Sequence, residues 1–87
     1  MSSKAIVLDA NILIRAVLGR RVRELIFDNA VMVKFFAPDV AYVDARKYLP
    51  VLACAMTLSC PIWTEDADFF GTGVPTWTSD RIALYFA

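Results

Sequence analysis

The chain has 87 residues, enough for one small domain spanning 1–87 and no more. Nine basic and nine acidic side chains leave no net charge, so no global basic field points to nucleic acid. Histidine is absent, which excludes a Ser-His-Asp triad, a Cys-His dyad and an imidazole base; a neutral-pH hydrolase would have to work with carboxylates and a divalent cation.

Hydrophobic residues make up 59% of the chain and the mean hydropathy is +0.54. A small domain has too much surface for its volume to bury that much apolar area alone, so a large interface is expected. The longest apolar stretch, 51–63, is interrupted by Thr57, Ser59 and Pro61 and is too short to span a bilayer. Residues 1–4 lead into a short run ended by Asp9, unlike a signal peptide, so a cytoplasmic protein is expected, with no membrane partner. With only Cys54 and Cys60 as thiols a structural zinc site is disfavoured, and both read as reduced, buried cysteines.

In chain order, the unalternating apolar run 5–8 predicts a fully buried strand that stops at Asp9. Asn11 is then expected to cap a short helix over 12–18, closed by Gly19 as a C′ glycine. A second helix follows over 20–29, with Val22, Leu25, Ile26 and Asn29 on one face and Arg21, Arg23, Glu24 and Asp28 mostly outside. Its arginines read either as a solvated face or as a phosphate-contacting edge.

The β-branched and aromatic run 31–37 predicts the second strand. Asp39 can cap a third helix in which Ala41, Ala45, Tyr48 and Leu52 face the sheet. Asp44 falls about 60° around from Ala41, at the margin of that face. Pro50 then arrives without any turn residue beside it, and 51–59 is apolar all round, as in a buried helix. Residues 39–59 therefore read as one helix kinked at Pro50, at a cost of ~3 kcal/mol, or as two abutting helices with Leu49 as a poor cap. Short strands over 61–64 and 74–77 follow, and Ser79 and Asp80 can cap a last helical segment to Phe86. Strands alternating with helices give an α/β domain with a reduced, mainly parallel sheet of about four strands flanked by helices.

In a parallel sheet the strand ends share one edge, so Asp9, Asp66 and Asp68 converge there, with Asp44 coming from the intervening helix. Such carboxylates repel unless neutralised; a hard divalent ion with oxygen ligands would do that, Mg²⁺ or Mn²⁺. Each acid taken singly reads equally well as a cap or a solvated loop residue.

Ile6-Val7-Leu8-Asp9-Ala10-Asn11-Ile12-Leu13 resembles the opening of PIN-domain ribonucleases, among them the VapC toxins of toxin–antitoxin pairs. Ile62-Trp63-Thr64-Glu65-Asp66-Ala67-Asp68-Phe69-Phe70 resembles their late strand and its acidic end. The resemblance implies a PIN-like fold and a Mg²⁺- or Mn²⁺-dependent endonuclease of single-stranded RNA. By position it implies Asp9, Asp44 and Asp66 as metal-binding acids and Asp68 as a further catalytic acid. Asp44 stands where the family more often has glutamate, one methylene longer. Thr64 matches a hydroxyl residue that supports the cluster, and Thr64, Asn11, Arg15 and Arg20 are the candidate substrate contacts.

The chain is far shorter than an ordinary PIN domain. Residues 1–49 resemble the family's N-terminal part and 50–87 its C-terminal part, so the intervening segment is missing at a junction near Leu49–Pro50. That segment normally carries a further acid, and no acid occurs between Asp44 and Glu65. A single rod over 39–59 would be ~30 Å long, against ~17–20 Å for an ordinary strand. Such a crossover overshoots its own sheet, so a homodimer, in domain-swapped form, is expected. A small antitoxin is the further partner that the resemblance implies. The alternative reading is a non-catalytic, PIN-derived homo-oligomeric binding or assembly module.

Overall fold

A computed structural model describes residues 4–38 and 49–87. Strand β1 (Lys4–Leu8) leads into helices α1 (Ala10–Leu18) and α2 (Arg21–Asp28), then strand β2 (Val33–Phe36). Helix α3 (Leu49–Leu58), strand β3 (Ile62–Trp63), a 3₁₀ turn (Ala67–Phe69), strand β4 (Thr76–Trp77) and helix α4 (Ile82–Phe86) follow. The strands form one sheet in the order β2-β1-β3-β4, and all three pairings are parallel. The expected α/β architecture with a four-stranded parallel sheet is therefore the one observed.

Strand alternation explains the two cores. Ile6 and Leu8 point to one face and pack with Ile12 of α1, Val22 of α2, Val33, Trp63 and Ile82. Val7 points to the other and packs with Val51 and Ala55 of α3, Cys60, Ile62 and Phe69. Covering on both faces is why β1 reads as a continuous apolar run. Helix α4 docks through Phe86, whose ring meets Phe35 and Trp63 edge-on at 5.8 and 5.9 Å. The Tyr85 hydroxyl donates to the Ala5 carbonyl at 2.7 Å, and burial pushes its pKa up. Cys60 is buried and Cys54 half-buried, both free; burial, with Cys54 nearby, raises the Cys60 thiol pKa. No described helix is long and apolar enough to cross a membrane.

Several local expectations are corrected. Asn11 does not cap α1; it is exposed inside the helix, and Asp9 caps it, because extended backbone at Asp9 lets its carboxylate reach the Ala10 N–H. Gly19 closes α1 in an extended conformation, not a left-handed one. A Cβ there would lie 2.9 Å from the Arg15 carbonyl, so close approach favours glycine. Neither Ser79 nor Asp80 caps α4, since the Ser79 hydroxyl accepts from the Trp63 indole and the Asp80 carboxylate takes the Thr78 hydroxyl. Strands β2, β3 and β4 are shorter than expected; Val31 and Met32, for instance, belong to the turn before β2.

Helix α3 is not buried all round. Val51 and Ala55 face the sheet while Met56 and Leu58 are exposed, because a helix lying on a sheet has only one buried side. It ends at Ser59 with a φ of 53°, a left-handed position more usual for glycine. Whether α3 continues a longer rod, and the third helix expected over 39–49, fall on residues 39–48, outside those described.

Candidate functional site

The strand order reverses between β1 and β3, since the chain passes from β1 to β2 on one side and later to β3 on the other. In parallel α/β sheets the carboxyl ends diverge at that point and leave a crevice for a ligand. Here β1 ends in Asp9 and β3 in Thr64, held side by side by the Asp9 N–H, which donates to the Trp63 carbonyl at 3.1 Å.

The side chains continue this link. The Thr64 hydroxyl, fully buried, donates to Asp9 Oδ2 at 2.7 Å. The Thr64 hydroxyl oxygen in turn accepts the Asp66 N–H at 2.9 Å, and Asp66 Oδ1 accepts the Asp68 N–H at 2.9 Å. Asp9 Oδ1 accepts the Ala10 N–H at 2.7 Å. Asp9, Thr64, Asp66 and Asp68 are thereby joined in one hydrogen-bonded chain across the sheet edge. The reading of these acids as caps is met, because Asp9 and Asp66 cap the turns that follow them.

Asp9 is 8% exposed. Among the described residues the only close ion pair is Arg20–Glu24 at 2.8 Å on the surface of α2, so no cation from those residues pairs with Asp9. A nearly buried carboxylate in that position is ordinarily paired or bound to a metal. Each of its oxygens still has a lone pair beyond the hydrogen bond it accepts. The donors are all hard oxygens, which suits Mg²⁺ or Mn²⁺. No group of three or more possible metal ligands gathers among the described residues. Mg²⁺ commonly binds through one or two carboxylates and keeps several waters, so the Asp9 carboxylate, with its remaining lone pairs, is compatible with such an ion without a complete protein cage.

The other candidates are placed elsewhere or lie outside. Asp44 is outside the described residues. Asn11 and Arg15 lie on the exposed side of α1, with Arg15 ~8 Å along the helix from Ala10. Arg20 precedes α2 and is engaged by Glu24. Glu65 is occupied structurally: its carboxylate accepts the Ser79 N–H at 2.6 Å and ties the ends of β3 and β4 together. Sequence reasoning missed a hollow of about 310 Å³ on the β4 side, lined by Phe70, Thr76, Trp77, Thr78 and Arg81. Its sequence signal was the second Trp-Thr-x-Asp stretch, Trp77 to Asp80, which repeats Trp63 to Asp66.

No curated protein and no solved structure matches the chain. Two stretches match the family model described as PIN domain, residues 7–53 and 49–87. They meet over 49–53, at the junction expected from the loopless Pro50, and together they cover both the Asp9 and the Asp66 ends. An acid-tipped parallel sheet with both of its acidic ends inside the matched stretches places this chain in the PIN domain family.

Proposed function

We propose that the chain is a metal-dependent endoribonuclease of the PIN type, related to VapC toxins and weakened by loss of the central segment and its acid. PIN domains are generally nucleases and typically use Mg²⁺ or Mn²⁺. The observation that carries the reading is the nearly buried Asp9 carboxylate, held by Thr64 and without a cationic partner among the described residues.

Asp9 and Asp66 would hold the ion, with Asp68 beside them and Asp44 as a further donor. When bound, such an ion lowers the pKa of a coordinated water and neutralises charge on a phosphodiester. The chain's own contribution is positional. Thr64 fixes the rotamer of Asp9 with its O–H and holds the Asp66 backbone with its lone pair. The N-cap bond to Ala10 pins the other Asp9 oxygen. Charged substrate approaches an edge formed by four parallel strand ends.

The test is Mn²⁺-dependent cleavage of a mixed single-stranded RNA, with Asp9→Asn beside the wild type. Cleavage that disappears in the variant supports the enzyme. Equal product from both proteins, or none from either, would sink it.

The alternative, a non-catalytic homo-oligomeric module, is favoured by a different observation. Leu13, Ile14, Val17 and Leu18 of α1 are all exposed, Val17 at 75% and Leu18 at 82%, and form one apolar stripe. A homodimer, domain-swapped or not, or a small antitoxin would cover it. Light scattering at micromolar concentration separates monomer from dimer.

A further inference from the structure

The hollow beside the acids is lined by Phe70, Thr76, Trp77, Thr78 and Arg81, and the Trp77 ring is held by Tyr85, 5.7 Å away between centroids. Phe70 is 49% exposed and directly follows the 3₁₀ turn that Asp66 caps. Trp77 ends β4, and its carbonyl accepts the Thr64 N–H at 3.0 Å. That is the same Thr64 whose hydroxyl holds Asp9, so both aromatic walls are tied through backbone to the two acids.

The Arg81 side chain makes no hydrogen bond and no close ion pair among the described residues, while its backbone N–H donates to the Thr78 carbonyl at 3.0 Å. Its acidic neighbour, Asp80, already takes the Thr78 hydroxyl. Arg21 donates to the Ser79 carbonyl at 3.3 Å and brings a second guanidinium to the same turn. Arg81 is the charged residue of the lining; at the neighbouring turn Arg21 is met by two carboxylates, both bonded within the chain, Asp80 to the Thr78 hydroxyl and Glu65 to the Ser79 N–H.

Aromatic faces next to a guanidinium match the two halves of a nucleotide: a base to stack and a phosphate to pair. Bases within a duplex are covered by their neighbours and cannot enter such a hollow without being flipped. We propose that this hollow binds one unpaired nucleotide of single-stranded RNA, its base against Phe70 and Trp77 and its phosphate at Arg81. The choice of RNA rests on the nuclease reading; the subsite itself rests on the lining.

The probe is a fluorescein-labelled single-stranded RNA of mixed sequence, titrated in EDTA so that binding is read without cleavage. Phe70→Ala is expected to weaken binding about 5- to 100-fold, and Phe70→Tyr to restore most of it. Arg81→Gln is expected to weaken binding and to lower the slope of log K against log salt by about 0.7, one single-strand phosphate contact. Circular dichroism confirms that each variant is folded; Phe70 is half exposed and its ring retained in the Tyr variant. No binding by the wild type at ~100 μM, equal affinity for a blunt duplex, or unchanged affinity in both Phe70→Ala and Arg81→Gln overturns the proposal. None of those results touches the nuclease reading, which stands or falls on metal-dependent cleavage and its loss in Asp9→Asn.

Discussion

Strands β3 and β4 end in the same tetrapeptide pattern, Trp63-Thr64-Glu65-Asp66 and Trp77-Thr78-Ser79-Asp80, and the two tryptophans are register partners in adjacent parallel strands. Their hydroxyls nonetheless do different things. Thr64 donates across the sheet to Asp9, whereas Thr78 donates to its own Asp80. The reason is position. Strand β3 lies between β1 and β4, so a carboxylate from β1 waits beside Thr64; β4 is the edge strand of the described sheet and offers Thr78 no such neighbour. Asp66 is left with its carboxylate off its own threonine and turned toward the Asp68 N–H. Asp80 is consumed locally. One pattern thus links two strand ends through a threonine in the interior of the sheet and closes a local turn at its edge.

The sharpest way to test that difference is to remove charge from the interior copy. Asp9→Asn is expected to lower Mn²⁺-dependent RNA cleavage by about 100-fold or more, as loss of a metal-binding carboxylate should. Stability in urea should fall by about 1–3 kcal/mol, because an amide oxygen that accepts from Ala10 leaves an NH₂ facing the buried Thr64 hydroxyl. A large loss of stability with cleavage retained would show that Asp9 serves as a helix cap alone.

Next in size are the paired threonine variants. Thr64→Val keeps the shape and deletes a fully buried hydroxyl that donates to Asp9 and accepts from Asp66. The stranded partners should cost about 1–3 kcal/mol, with cleavage down roughly 10-fold through misplaced acids. Thr64→Ser should recover most of both. Thr78→Val, at the exposed end, should stay within ~0.5 kcal/mol of wild type by the same urea melts. Equal costs at the two positions would erase the comparison.

Much of this was legible from residues. The unalternating run before Asp9 announced a strand buried on both faces, and the alternation of strands with helices announced the parallel sheet. That Asp9 and Asp66 follow neighbouring strands at one edge of the sheet came from the parallel topology. The choice between Asp9 and Asn11 as the cap was not legible, because both are good capping residues and only the backbone angle at Asp9 decides. The role of Ser79 was hidden for a similar reason. It looks like a helix cap in sequence, but Trp63 and Glu65, distant by more than ten residues, hold its hydroxyl and its N–H. Phe70 follows a turn, Trp77 ends a strand and Arg81 precedes a helix, and only the fold sets them around one hollow.

The smallest effect belongs to the edge copy and concerns acid. The Thr78 hydroxyl is the main cause holding the Asp80 carboxyl below its ordinary pKa of 3.8, with Arg81 and Arg21 adding to it. A depressed folded pKa means that the stabilisation is complete above the unfolded value and disappears as pH falls through the lower, folded one. Asp80 is fully exposed, so water and salt screen most of this. Melting temperatures measured from pH 5 downward should therefore fall slightly more steeply below pH 4 for wild type than for Asp80→Asn, and identically above it. Added salt should shrink the gap by screening the two arginines but should not close it, since the hydroxyl bond remains. A gap that closes entirely in salt would reassign Asp80 from a locally bonded acid to a purely coulombic one, and the contrast with Asp66 would then rest on charge, not on the hydroxyl.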